Sequence, residues 1–216
     1  MKLEKMDDFF HRRLEGYDQH MLNNIEGAKE FYPFTASALP LDKPIRLLDL
    51  GCGTGLELEY IFAVNNQIEV TCIDVAEGML NQLKKKFSNQ NIKVICDSYF
   101  EVEFEQCDAV VSVESLHHFT QQKKIPLYKK IYDALSEHGC FVLTDYFALN
   151  EQEEQMHQTT LKELREIQKI PEDVFVHYDI PLTLSHEIEA LKHAGFSSVE
   201  VLRSWGQTSV IKATKK

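Results

Sequence analysis

Residues 47–60 read LLDLGCGTGLELEY, an apolar run ending near Asp49 and followed by glycines at 51, 53 and 55. A glycine turn that leaves a strand and opens a helix lets a ligand approach the backbone closely. Hydride, phosphoryl and methyl transfer all use such turns. A dinucleotide turn reads G-x-G-x-x-G, with the pyrophosphate on the helix N-terminus. Here the third glycine comes one residue early, and Leu56 stands where that pattern wants glycine. A phosphate loop closes on Gly-Lys-Ser/Thr, which this turn lacks.

Asp49, two residues before the first glycine, repels a pyrophosphate and attracts a cation. S-adenosylmethionine carries two cations close together, an ammonium and a sulfonium, and suits a turn with an acid at its base. Asp74 closes the next apolar segment, where an acidic side chain accepts hydrogen bonds from ribose hydroxyls. Asp97 and Ser98 follow the third such segment, where a carboxylate can accept from an adenine amino group. The fourth runs into VESLHHF, residues 113–119, at the lip of the same cleft.

The catalytic candidates are Glu114, Asp145 and His118. Glu114 is a carboxylate at a strand tip facing a cationic cofactor, so it has an electrostatic reason to be there. Asp145 ends the fifth strand and could steer a substrate amine or act as a base; the alternative is a carboxylate capping backbone amides. Of His117 and His118, one is expected to pack against the following helix. His177 and Tyr178 read as residues of a surface loop.

These residues need a scaffold that brings strand ends together. Residues 45–50, 68–74, 92–96, 107–113 and 139–147 read as strands, and helical spacing recurs between them, as with Met79, Leu80, Leu83 and Phe87. That alternation predicts a Rossmann-like doubly wound α/β sheet, mostly parallel, with helices on both faces. Residues 121–139 read as an amphipathic helix closed by Gly139, and Ser185 as the N-cap of a helix over 186–194. Two strands around Trp205 and Gly206 sit too close to be parallel, so an antiparallel hairpin ends the sheet. The expected organisation is one domain over 1–216, with a core at 45–147 and the last helix and hairpin at 183–216. Residues 1–40, helical and aromatic-rich, and 148–182, with a helix carrying Met156, Leu161, Leu164 and Ile167, form a cap over the cleft.

Composition narrows the partners. The chain has 216 residues and a formal net charge of −11, a balance that disfavours nucleic acid and anionic membranes. The basic run Lys84, Lys85 and Lys86 reads as a solvated helix face. No apolar run approaches the roughly 20 residues that span a bilayer, and the N-terminus is charged from the start, so a cytoplasmic location is expected. Five widely spaced cysteines show neither CxxC nor zinc-ligand spacing and read as buried thiols, with no metal implied.

The strand ends together resemble the class I S-adenosylmethionine-dependent methyltransferases of the small-molecule type. The resemblance rests on LLDLGCGTG, TCIDVAEGML, CDS and FEQCDAVVSVESLHHF and spans residues 45–147. It implies that Gly51, Cys52 and Gly53 line the methionine portion of the cofactor, that Asp74 binds ribose, and that Val75 and Met79 flank adenine. Asp97 and Ser98 would meet the adenine edge, Val113 and Glu114 the ammonium or methyl, and Tyr17 would close over the methionine end. The expected reaction is methyl transfer to a small-molecule O or N acceptor, by a monomer or homodimer. A regulatory protein that keeps the fold and binds the cofactor, and a nicotinamide-dependent oxidoreductase, are the rival readings.

Overall fold

The computed structural model describes residues 1–215. A short strand β1 (Glu4–Lys5) leads into helices α1 (Met6–His11), α2 (Tyr17–Asn24) and α3 (Ala28–Ala38). The core then alternates: β2 (Arg46–Leu50), α4 (Leu56–Val64), β3 (Glu69–Asp74), α5 (Glu77–Lys86), β4 (Ile92–Cys96), β5 (Cys107–Val113), α6 (Gln121–Ala134) and β6 (Leu135–Tyr146). Helix α7 (Glu151–Gln168), strand β7 (Val176–His177), helix α8 (Leu184–His193) and the hairpin β8 (Ser198–Trp205) and β9 (Thr208–Thr214) complete it.

Seven strands form one sheet in the order β4-β3-β2-β5-β6-β9-β8. The first five run parallel, and β9 pairs antiparallel with both β6 and β8. Successive side chains along the central strands face opposite sides, and both sides are buried. Leu47 and Val111 meet Phe31, Leu58, Ile61 and Leu83 of α3, α4 and α5 on one face. Leu48 and Val110 meet Leu127, Ile131 and Leu191 of α6 and α8 on the other. Each such side chain contributes roughly 1.5–3 kcal/mol of burial. The chain order reverses between β2 and β5, so their C-terminal ends splay apart and open a crevice at that edge.

Two boundaries and the burial of one helix differ from the sequence expectation. Helix α6 stops at Ala134, because Leu135 turns extended and pairs with Cys107; Gly139 therefore lies inside β6 and closes no helix. A Cβ at Gly139 would lie 3.0 Å from the Ser136 carbonyl oxygen and 3.1 Å from that of Asp108, so glycine is used there for close approach. Helix α8 begins two residues early: Thr183, not Ser185, accepts the hydrogen bond from the His186 amide. Helix α7 also keeps less of its apolar stripe inside than its periodicity suggests, with Met156 55% and Ile167 76% exposed.

The two segments outside the core are joined to each other. β1 pairs antiparallel with β7, setting Glu4 opposite His177 and Lys5 opposite Val176. The Met6 amide donates to the Phe175 carbonyl, and the Phe9 ring stacks on His177 at 3.4 Å between centroids. No helix among the described residues is long and apolar enough to cross a membrane.

Candidate active site

A cavity of about 1770 Å³ opens at the C-terminal ends of β2, β3 and β5, with α1, α2, α7 and residues 170–180 over it. Drug-sized ligands occupy roughly 300–1,000 Å³, so this space admits a nucleoside-sized cofactor and a second molecule. Its floor is the glycine turn. Gly51 has φ +75°, and a Cβ there would lie 1.9 Å from Ser115 Oγ. Gly53 has φ +49°, and a Cβ there meets nothing within 4 Å, because that side of the turn opens on the cavity. The Gly51 amide donates to the Ile73 carbonyl and the Gly53 amide to Asp74 Oδ2 at 2.9 Å, while the Ala76 amide donates to Asp74 Oδ1. The turn and the β3 tip thus hold each other in place.

Helix α2 sits against this turn through Asp18, whose Oδ1 accepts from Thr54 Oγ1 and whose Oδ2 pairs with Lys86 Nζ at 2.6 Å. Lys86 also pairs with Glu59, so one of the three lysines expected to be solvated is a tie between α2, α4 and α5. The tie presents Tyr17 to the cavity. Burial, with Glu57 nearby, pushes the Tyr17 phenol well above its usual range, so it stays protonated.

Ten of the cofactor candidates line the cavity. Gly51, Cys52, Gly53, Asp74 and Val75 do so from the two strand ends. Tyr17, Met79, Ser98, Val113 and Glu114 do so from the surrounding elements. Asp49 and Asp97 do not. Asp97 is exposed just past the end of the edge strand β4, with Oδ1 accepting from the Ser98 amide. Asp49 is 1% exposed, behind the wall, and faces Glu57, which does line the cavity. Both Asp49 oxygens and Glu57 Oε1 are buried with no donor in the protein. Burial, together with the charge of Glu57, holds Asp49 well above the usual carboxylate range; burial lifts Glu57 to about 7. Glu57 escaped the sequence reading because it lies one residue into α4, where an acid looks like ordinary helix-dipole complement.

The unbalanced acid pair has a consequence for the protein without ligand. An acid whose folded-state pKa exceeds its unfolded value costs stability once pH passes the unfolded value, and the cost is complete above the folded one. Thermal unfolding of the ligand-free chain should therefore show stability falling from about pH 4.5 to about 7 on Glu57's account. Glu57→Gln should flatten that slope; an unchanged slope would show that the pair is already neutralised.

Just past the β5 tip Glu114 has φ +50°, a left-handed conformation that costs a non-glycine residue energy and tends to mark functional sites. Its amide donates to the Thr144 carbonyl, and Thr208 Oγ1 donates to its carboxylate at 3.4 Å. Burial, then repulsion from Asp145, raises it to about 8. His118 also lines the cavity; burial, with His117 beside it, lowers its pKa. Asp145, in contrast, lies behind the 3₁₀ turn at Leu116–His118. It is 1% exposed, accepts from the Leu116 and Tyr146 amides, and approaches His117 Nδ1 at 2.5 Å. Burial opposes the charge on both groups, but their attraction outweighs it, lifting His117 to about 9 and lowering Asp145.

The methyltransferase domain family matches residues 47–139, which hold the turn, the β3 and β4 tips and the VESLHHF lip. That match and the S-adenosylmethionine-linked relatives support a class I S-adenosylmethionine-dependent methyltransferase. Within reach of this methyltransferase is the carboxy-S-adenosyl-L-methionine synthase of Nautilia profundicola, 25% identical over 97% of this chain and 90% of that protein. Human N-acetylserotonin methyltransferase, solved with its cofactor, superposes with a TM-score of 0.68 at 18% identity; 97% of this chain spans 56% of that one. The cyclopropane synthase of Mycobacterium tuberculosis superposes at 0.67 with 17% identity, covering 97% of this chain and 94% of that one. At these identities the solved structures establish the fold alone. The enzyme's cofactor is S-adenosylmethionine, and its residues fit that molecule: Glu57, which lines the cavity and has a buried carboxyl oxygen without a donor, suits an ammonium, and the open side of Gly53 leaves room for close approach.

Proposed function

We propose that this methyltransferase methylates an O or N atom of a small molecule held beneath the cap. The observation that carries this reading is the size of the cavity, about 1770 Å³, whose lining adds Phe10, Phe119, Phe175 and Ile180 to the cofactor candidates and leaves space for an acceptor. The bound cofactor supplies an activated methyl group on a sulfonium. The chain's part is then to bind, orient and exclude water. Glu57, backed by Asp49, holds the ammonium; Asp74 takes the ribose; Val75, Met79 and Ser98 bound the adenine; Tyr17 closes the methionine end. Glu114 accepts the proton that an O or N acceptor loses. The acidic surface favours a small acceptor over nucleic acid, and residues 1–40 and 148–182 serve as the cap of a single domain.

The named relatives favour a second reading, synthesis of a carboxylated S-adenosylmethionine. Glu114 argues against it: placed at the reacting end, it would repel a carboxylate at the sulfonium when ionised. Incubation with labelled S-adenosylmethionine and a panel of small phenols and amines, and in a second arm with small carboxylic acids as carboxyl donors, followed by mass spectrometry, separates the two. Formation of S-adenosylhomocysteine with a methylated acceptor is expected. A sulfonium product heavier by a carboxyl group, with no S-adenosylhomocysteine, would establish the second reading. Equilibrium dialysis should also show saturable cofactor binding that Asp74→Ala weakens.

A further inference from the structure

His117, His118 and Asp179 meet at a point that methyl transfer does not require. His117 Nε2 lies 3.6 Å and His118 Nδ1 3.1 Å from the same oxygen, Asp179 Oδ1, and all three atoms fall within 4.8 Å of one another. Despite two ring nitrogens so near, that buried oxygen receives no well-directed hydrogen bond. The separations are those of ligands and not only of hydrogen-bond partners. Two ligands each about 2.0–2.1 Å from a tetrahedral divalent ion stand about 3.4 Å apart.

The surroundings prepare the same site. Asp145 holds His117 Nδ1, which turns Nε2 toward Asp179, where a metal ion would displace its proton, the carboxylate–histidine arrangement seen behind metal-bound imidazoles. Asp179 supplies a carboxylate at the point, and Glu114 and Asp145, grouped with His117 in a neighbouring acidic cluster, add charge that favours a cation nearby. A third imidazole, His177, has Nε2 4.0 Å from Asp179 Oδ1, with its ring braced on Phe9. His118 Nδ1 also lies 3.3 Å from the Tyr178 carbonyl oxygen, a contact it would exchange for the metal bond.

We propose that His117, His118 and Asp179 bind one divalent first-row transition ion, with Zn²⁺ the best match to two imidazoles and a carboxylate. The histidines come from the turn after β5 and the aspartate from the segment after β7, so the ion fastens the cap to the core beside the cavity. Binding only to the folded chain, it stabilises by linkage. The site is independent of which acceptor is methylated.

The test uses tag-free protein stripped with a chelator and titrated with Co²⁺ as an absorbing probe. One Co²⁺ per chain, displaced by one equivalent of Zn²⁺, is expected, with a Zn²⁺-dependent rise in Tm. Asp179→Asn and His118→Gln should each weaken binding at least about 10-fold, as loss of even outer partners does. Circular dichroism checks that each variant folds, and either one suffices if the other does not. Absence of stoichiometric binding overturns the site. So does binding unchanged in both variants, which would place the ion elsewhere, for example at the exposed Cys96.

Discussion

Gly51→Ala is expected to lower stability by about 3 kcal/mol and to abolish measurable cofactor binding, whereas Gly53→Ala should spare most of the stability and still impair binding. The two glycines sit two residues apart in one turn but face different things. At Gly51 the added methyl carries the strain of φ +75° and lies 2.5 Å from Ser115 Cβ, so the turn and the β5 tip must separate. A left-handed non-glycine residue costs about 1–2 kcal/mol and overpacking about 1–3 kcal/mol, which together give the estimate. At Gly53 only the backbone term of about 1 kcal/mol applies, since the methyl enters open space. That space is where the cofactor must approach the backbone, so the loss appears in affinity, about 10-fold or more. Urea unfolding and dialysis on both variants check the contrast. Equal stability losses would mean that the turn, and not its two faces, governs both effects.

Much of the architecture was legible because it is local. β-branched and leucine runs bounded by turn residues located the central strands, and strand-end position alone brought Asp74, Ser98, Val113 and Glu114 to one edge of the sheet. What escaped is non-local. The end of α6 at Ala134 depends on Leu135 pairing with Cys107, a partner on another strand, so helical periodicity ran on to Gly139. Lys124 Nζ lies 2.6 Å from Glu187 Oε2 in a fully buried pair between α6 and α8. No spacing rule links residues on two separate helices. The β1–β7 pairing and Asp179's approach to the histidines join the N-terminal and cap segments across most of the chain. In the site itself, Asp49 was placed on the right strand tip but one layer too far forward. The acid that reaches the cavity is Glu57, and only the rotation of α4 reveals it.

Glu114→Gln should reduce kcat with an O or N acceptor by about 100-fold or more, the usual worth of a positioned proton acceptor. Gln preserves the size of the side chain and its contact with Thr208, and it asks no more of the backbone at φ +50° than Glu does. What it removes is the charge and the ability to take a proton. These two losses fall on different measurements. S-adenosylhomocysteine has no sulfonium, so its affinity should stay within about twofold if Glu114 acts only at the reacting end. S-adenosylmethionine should bind somewhat more weakly than it does to the parent enzyme, because its sulfonium loses a nearby carboxylate. An acceptor already deprotonated in solution, such as an acidic phenol, should recover part of the lost rate, since it needs no base. If kcat falls equally for both acceptor kinds, Glu114 serves the sulfonium alone. The acceptor's proton must then pass to solvent or to another group that lines the cavity.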